Sequence, residues 1–347
     1  MKSPAKKRRL YYASMDQGIY FSTFDEVTRK VSPLVLAAKI PNSFFLTPHP
    51  SKPVLYSLDS PGRLVMAFAM APDGMLSEIN RVDSQGDVAC HLVVDEAGKF
   101  VAVANYEGGI SLFPIRPDGG LAEASSTYQP TGGGPHSRQD KSYPHGLAWL
   151  PGKNIVYLTD LGADLISAFR IEDNRLVPIP ELATKVQAGA GPRHIVIHPE
   201  LNSALVVNEL SSTVTIFTHN RTTGQLVETD TASTLPPGFK GESWTAEVGY
   251  HPQADVCYAT NRGHETLAIF SIDRGTGKLH RRQIMESGGK WPQHFTFDSR
   301  GATLFVANTK SDGVTLHRID PETGLHLERI GDISISQPMC VIMTPER

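Results

Sequence analysis

A strand-length apolar run closing in asparagine or aspartate returns at a nearly constant interval along this chain, and that period is the tightest constraint on its fold. The runs are Leu55–Asp59, Val101–Asn105, Val156–Asp160, Leu205–Asn208, Cys257–Asn261 and Phe305–Asn308. Their closing residues are separated by 46, 55, 48, 53 and 47 positions. A period near 50 with room for about four strands is what propeller blades require. The 39 residues after Asn308 and the 14 up to Ser14 together supply one more period, with Tyr11-Tyr12-Ala13-Ser14 as its strand end. The first and last segments are therefore expected to share a blade, which closes the ring and removes exposed sheet edges. The chain reads as all-β: a single seven-bladed β-propeller of four-stranded antiparallel blades over residues 1–347. No sustained helical periodicity competes with that reading.

Ahead of each closing residue lies the expected innermost strand of its blade: Phe44–Leu46, Cys90–Val94, His145–Trp149, His194–Ile197, Ala246–Tyr250, His294–Phe297 and Met339–Ile342. In an antiparallel hairpin the start of one strand lies beside the end of the next. Arg193 and His194 open one such run while Asn208 and Glu209 close the following one, so all four side chains are expected at one edge of the sheet. The same logic brings His91, His145, Glu247, Arg262, His264 and His294 to that shared mouth. His49, His198 and His251 fall in the opposite turns beside proline and are expected to be structural. Two longer connections, Thr131–Asp140 (which carries Arg138) and Pro236–Trp244, enter inner strands and so lie over the mouth, as lids or as loose surface loops.

Composition excludes several classes. A formal charge of −3 argues against nucleic acid or an anionic membrane as the main partner, and no apolar run approaches the roughly 18 residues that span a bilayer. The cysteines, Cys90, Cys257 and Cys340, are odd in number and scattered, which predicts buried free thiols in a reducing, cytoplasmic setting. Lys6-Lys7-Arg8-Arg9 reads as part of a peripheral basic tail over residues 1–9. There is no Gly-x-Ser-x-Gly elbow, phosphate-binding glycine loop or dinucleotide fingerprint. Nor is there tight His/Cys/Asp spacing for a metal. A site without cofactor or metal, working by acid–base chemistry, is the expectation. The competing reading is that the mouth residues pair with one another and plug the channel.

Arg193-His194 with Asn208-Glu209, Pro144-His145-Gly146, Asp160-Leu161-Gly162-Ala163-Asp164, Asn261-Arg262-Gly263-His264 and Gly289-Lys290-Trp291-Pro292-Gln293-His294 resemble the 6-phosphogluconolactonase family of seven-bladed propellers. That family is itself similar to fungal carboxymuconate cyclases. The resemblance runs from about Tyr12 to Pro338. Two segments depart from the family pattern: Pro135–Asp140, and Gln293 where an arginine is usual. The resemblance implies hydrolysis of a small anionic sugar lactone, 6-phospho-glucono-δ-lactone, and its cyclase branch implies a site of His145, Arg193, Glu209 and Arg262, all four also on the mouth, which are the expected catalytic set. His194, Glu247, His91, Arg138 and His294 are the candidates to bind substrate. Between two arginines Glu209 should be a weak base, so His145 is expected to activate water, with the arginines on the phosphate or developing oxyanion. The alternatives are a muconate-type lactonising isomerase, or a binding scaffold with Trp244, Trp291 and Phe239 on its top face.

Overall fold

Hairpins of β-branched and aromatic residues, joined by Pro, Asp and Gly turns, build seven antiparallel sheets in the computed structural model, which describes residues 7–345. Blades 1 to 6 run Ser43–Asp83, Asp87–Tyr128, Pro144–Lys185, Pro192–Ser233, Trp244–Glu286 and Pro292–Ser334. Blade 7 combines the C-terminal strand Pro338–Pro345 with the N-terminal strands from Lys7 to Lys39. Its seam is antiparallel from Arg8 opposite Pro345 to Ser14 opposite Pro338, so the two ends of the chain close the ring as expected. Blades 3 and 7 each have an outer strand broken into two short pieces. No described helix is long and apolar enough to cross a membrane.

Burial follows position within a blade. The second strands are covered on both faces, and Val54–Asp59, Ile155–Asp160, Val256–Arg262 and Thr303–Asn308 are buried at every residue. This explains their unbroken apolar runs. Outer strands such as Leu279–Glu286 expose about half of their residues. Seven apolar clusters result, each bridging one pair of neighbouring blades. Polar ties repeat across the same interfaces. The hydroxyls of Tyr11, Tyr56, Tyr157 and Tyr258 donate to the carbonyls of Gly74, Gly119, Gly224 and Gly324. Each of these glycines has positive φ in the turn before an outer strand, where a side chain would be strained. His49, His198 and His251 have the structural role expected of them: each Nδ1 accepts two backbone N–H groups of its own turn.

The basic-tail expectation needs correction. Lys7, Arg8 and Arg9 belong to the strand Lys7–Ser14, where Lys7 pairs on one side and Arg8 and Arg9 on both. Arg8 forms an ion pair with Glu26 at 3.3 Å, and Arg9 donates to the Ala71 carbonyl at 3.2 Å. Lys6 lies outside the described residues.

Candidate active site

Every blade carries a register shift close to the mouth end of its inner strand. Such a bulge adds a residue on one strand and re-aims its side chain. In blades 3, 4 and 6 the shift follows a proline, at Pro144, Pro192 and Pro292. Proline has no N–H for the ladder and suits a strand's first residue. The residues released from pairing there are His145, Arg193 and Gln293. The residue after the closing Asn of the second strand contributes next: Tyr106, Glu209 and Arg262.

These two positions assemble an ionic cluster. Glu209 Oε2 meets Arg262 Nη2 at 2.7 Å and Arg193 Nε at 3.0 Å, while its Oε1 meets Arg138 Nη2 at 2.7 Å. The Arg193 contact is an ion pair without an aligned hydrogen bond from Nε. Burial by itself would raise the Glu209 carboxyl, but Arg262, Arg193 and Arg138 overcome it and hold the group at about 2. Burial, and then Arg262, lower Arg193 to about 10, so it stays charged through the neutral range. Three cations around one carboxylate leave an excess of two positive charges. Arg262 is further fixed by the carbonyls of Trp244 and Thr245, by Gln293 Oε1 at 3.3 Å, and by the Trp291 ring at 5.3 Å. The Lys310 ammonium lies over the same ring at 3.1 Å. Trp291 is therefore a cation platform within the site rather than part of an apolar docking face.

Arg138 arrives on the long loop before blade 3, and this loop is pinned. Buried Gln139 donates to Asp164 Oδ1 at 2.7 Å and to the Leu161 carbonyl at 2.8 Å, and Asp164 also accepts the N–H groups of Gly189 and Gly191. Neither the lid nor the loose-loop expectation fits segment 131–140. Arg138 is the one cation of the cluster with substantial exposure, 41% of its side chain, and it stands near Tyr106 as well as Glu209.

One layer deeper, the axis is filled by Phe45, His91, His194, Glu247 and His294. Ring centroids lie 4.3 Å apart for Phe45–His91, 4.6 Å for His91–His194 and 5.4 Å for Phe45–His294. Glu247 meets His194 Nδ1 at 3.1 Å and His294 Nε2 at 3.5 Å. Four of the expected substrate-binding residues (His91, His194, Glu247 and His294) thus form a mutually paired plug below the ionic cluster, as in the competing reading, while Arg138 stands above them. Beyond the plug a cavity of about 500 Å³ opens on the turn side and reaches Glu247 and His294 from below.

His145 connects the layers. Its ring is 5.1 Å from His194 and 5.9 Å from Tyr106, and its buried Nδ1 has no hydrogen-bond partner among the described residues. Burial, then the charge of Arg193, hold it well below the ordinary histidine value, so it is neutral near pH 7. Asn208 does not join the site, because its amide donates to Thr213 and Thr215 within its own blade. His264 stands aside against Thr266 and Phe239. Cys90, Cys257 and Cys340 are buried free thiols. No three described His, Cys, Asp or Glu side chains come together in a metal-holding arrangement.

A closed seven-bladed ring with a buried arginine-rich cluster at one end of its axis defines a propeller whose site is suited to polar, anionic small molecules. The chain matches the family described as lactonase, 7-bladed beta-propeller, over residues 9–343. It is 31% identical over 335 residues to the 6-phosphogluconolactonase of Bacillus subtilis strain 168, covering 95% of each chain. A solved Bacteroides fragilis chain, described as a candidate 6-phosphogluconolactonase, superposes with a TM-score of 0.92 at 27% identity, covering 99% of both chains. The periplasmic gluconolactonase of Pseudomonas aeruginosa superposes at 0.93 with 24% identity over 97% of this chain and 99% of its own. The chain belongs to the seven-bladed β-propeller lactonase family and is a lactone-hydrolysing enzyme.

Proposed function

We propose that the protein hydrolyses an anionic sugar lactone, with 6-phospho-glucono-δ-lactone as the best-fitting substrate and 6-phosphogluconate as product. The observation that carries this reading is the excess positive charge around Glu209: two buried arginines face a third that is half exposed. Arg138 can turn from Glu209 to a phosphate at the rim. Arg193 and Arg262 then lie where negative charge develops on the lactone carbonyl oxygen. Glu209 is a poor base at about 2 and serves to hold the guanidinium groups apart and in register. His145 is neutral near pH 7 and its Nδ1 has no hydrogen-bond partner among the described residues, which supports it as the group that takes the proton of the attacking water. A bound dianion beside it offsets the arginines that depress its basicity. Water adds to the carbonyl carbon, the ring C–O bond breaks, and the alkoxide leaves with the proton. The three buried free thiols support a reducing, cytoplasmic location.

The test is a pH-stat assay on freshly made phosphogluconolactone, run beside an ultraviolet assay on carboxymuconate and with His145→Ala as the control. Lactone turnover that falls at least about 10²-fold in His145→Ala supports the reading. Wild-type turnover in that variant removes His145 as the base. Turnover of carboxymuconate without lactone hydrolysis transfers the site to isomerase chemistry.

A further inference from the structure

We propose that Glu247 and His194 are a positioning pair for Arg193: the carboxylate fixes the imidazole tautomer, and the imidazole fixes the guanidinium. The inference rests on the lactonase reading for its kinetic consequence and on geometry for the arrangement itself.

Arg193 Nη1 lies 3.3 Å from His194 Nε2 and can only donate, so Nε2 must be the bare nitrogen. The ring proton then sits on Nδ1, which faces both Glu247 oxygens at 3.1 Å. Glu247 is oriented in turn by the Val248 N–H at 3.0 Å, and its own N–H donates to Thr260. The result is an alternation of charge from the plug to the mouth: carboxylate, neutral imidazole, guanidinium, and the Glu209 carboxylate. The remaining neighbours do not disturb it. His91 accepts the Leu147 N–H at Nδ1, and His294 accepts the Val341 N–H at Nδ1. Both therefore present N–H at Nε2, and His294 directs it toward Glu247. Arg193 needs this support because it is buried and its Nε is not aligned with Glu209, leaving the Ala246 carbonyl and His194 to set its plane. Neither Glu247 nor His194 has to touch a substrate to matter, since an arginine held by one fewer contact can swing off the carbonyl oxygen.

Two measurements on the full-length chain test this. In long-range ¹H–¹⁵N imidazole spectra near pH 7, with His194→Gln used for assignment, His194 is expected to be neutral with its proton on Nδ1. A proton on Nε2, or a charged ring, overturns the proposal whatever the activity. In kinetics on the sugar lactone, Glu247→Leu removes the acceptor for His194 and is expected to lower kcat by about 10²-fold, the cost of a misplacement near 1 Å. KM should stay within about twofold. Glu247→Gln keeps an acceptor oxygen and is expected to retain most of kcat, which keeps the test alive if the leucine variant does not fold. A raised KM at unchanged kcat makes Glu247 a substrate contact and overturns the proposal, as does wild-type turnover in Glu247→Leu. A wild-type protein with the Nδ1 tautomer but no lactone turnover counts against the lactonase reading alone.

Discussion

Glu209 shows how one side chain can gather the charges of a cluster and still be a poor base. Its two oxygens serve three guanidinium groups, and that company holds the carboxyl at about 2. Removing one partner of a buried ionic cluster typically costs about 3–5 kcal/mol because the remaining charges lose compensation. Glu209→Gln is therefore expected to destabilise the fold by about that amount in urea titrations, besides lowering turnover. Arg138 predicts a different pattern. It is exposed enough to trade partners, and a charge-assisted contact of about 1.5–3 kcal/mol corresponds to roughly 10–10²-fold in binding. Arg138→Gln should raise KM for a phosphorylated lactone by about that factor while leaving an unphosphorylated lactone nearly unaffected. Equal losses on both substrates would remove Arg138 from phosphate recognition. The sequence named both residues, but it could not reveal that Arg138 binds Glu209, because the contact depends on the path of a loop anchored by Gln139.

At the scale of the strand, three positions per blade explain where the polar side chains go. The bulge residue leans over the mouth, the next residue enters the plug, and the residue after the closing Asn meets the bulge residue from the neighbouring strand. In blade 4 these are Arg193, His194 and Glu209. Tyr106 and Gln293 occupy the same positions in blades 2 and 6, so comparing blades position by position would have revealed them as mouth residues. The bulges themselves were not legible: a ladder shift is a property of two strands, and only the prolines hint at it. Blade 3 contributes Gly146 to the plug, and a Cβ there would lie 2.3 Å from the Arg193 carbonyl oxygen and 2.8 Å from the His194 Cα. Gly146→Ala is accordingly expected to push the Arg193–His194 strand outward and lower the melting temperature, with a loss of kcat larger than the stability change alone explains. A variant of wild-type activity and stability would show that the blades can part there freely.

For the molecule as a whole, burying so many ionisable groups on one axis makes stability depend on pH with a definite sign. His91, His145, His194 and His294 are held below the ordinary value of 6.5, so the unfolded chain binds protons that the folded chain refuses. Stability therefore falls as pH drops through about 6.5. Glu209 adds a second window: its stabilisation is complete above its free value of 4.5 and is lost toward about 2. That difference is worth about 3 kcal/mol. Calorimetric scans should give a melting temperature that declines in two stages as pH falls below neutrality, and a maximum near pH 5 would contradict this account. The sequence by itself determined the ring. A strand period near 50 and the split last period demand seven blades and a shared seam, because every strand must pair and every apolar face must find a neighbour. It also determined which residue types reach the mouth, since hairpin geometry sends strand starts and ends to the same edge. Only the tertiary structure decided which of them meet. Most contacts of the plug and the ionic cluster join different blades, or the loop before blade 3, across about 50 or more positions of sequence, and within blade 4 the meeting of Arg193 with Glu209 depends on a bulge. Whether an imidazole faces a carboxylate, a guanidinium or an open nitrogen depends on one-residue shifts at bulges and on the course of a single pinned loop.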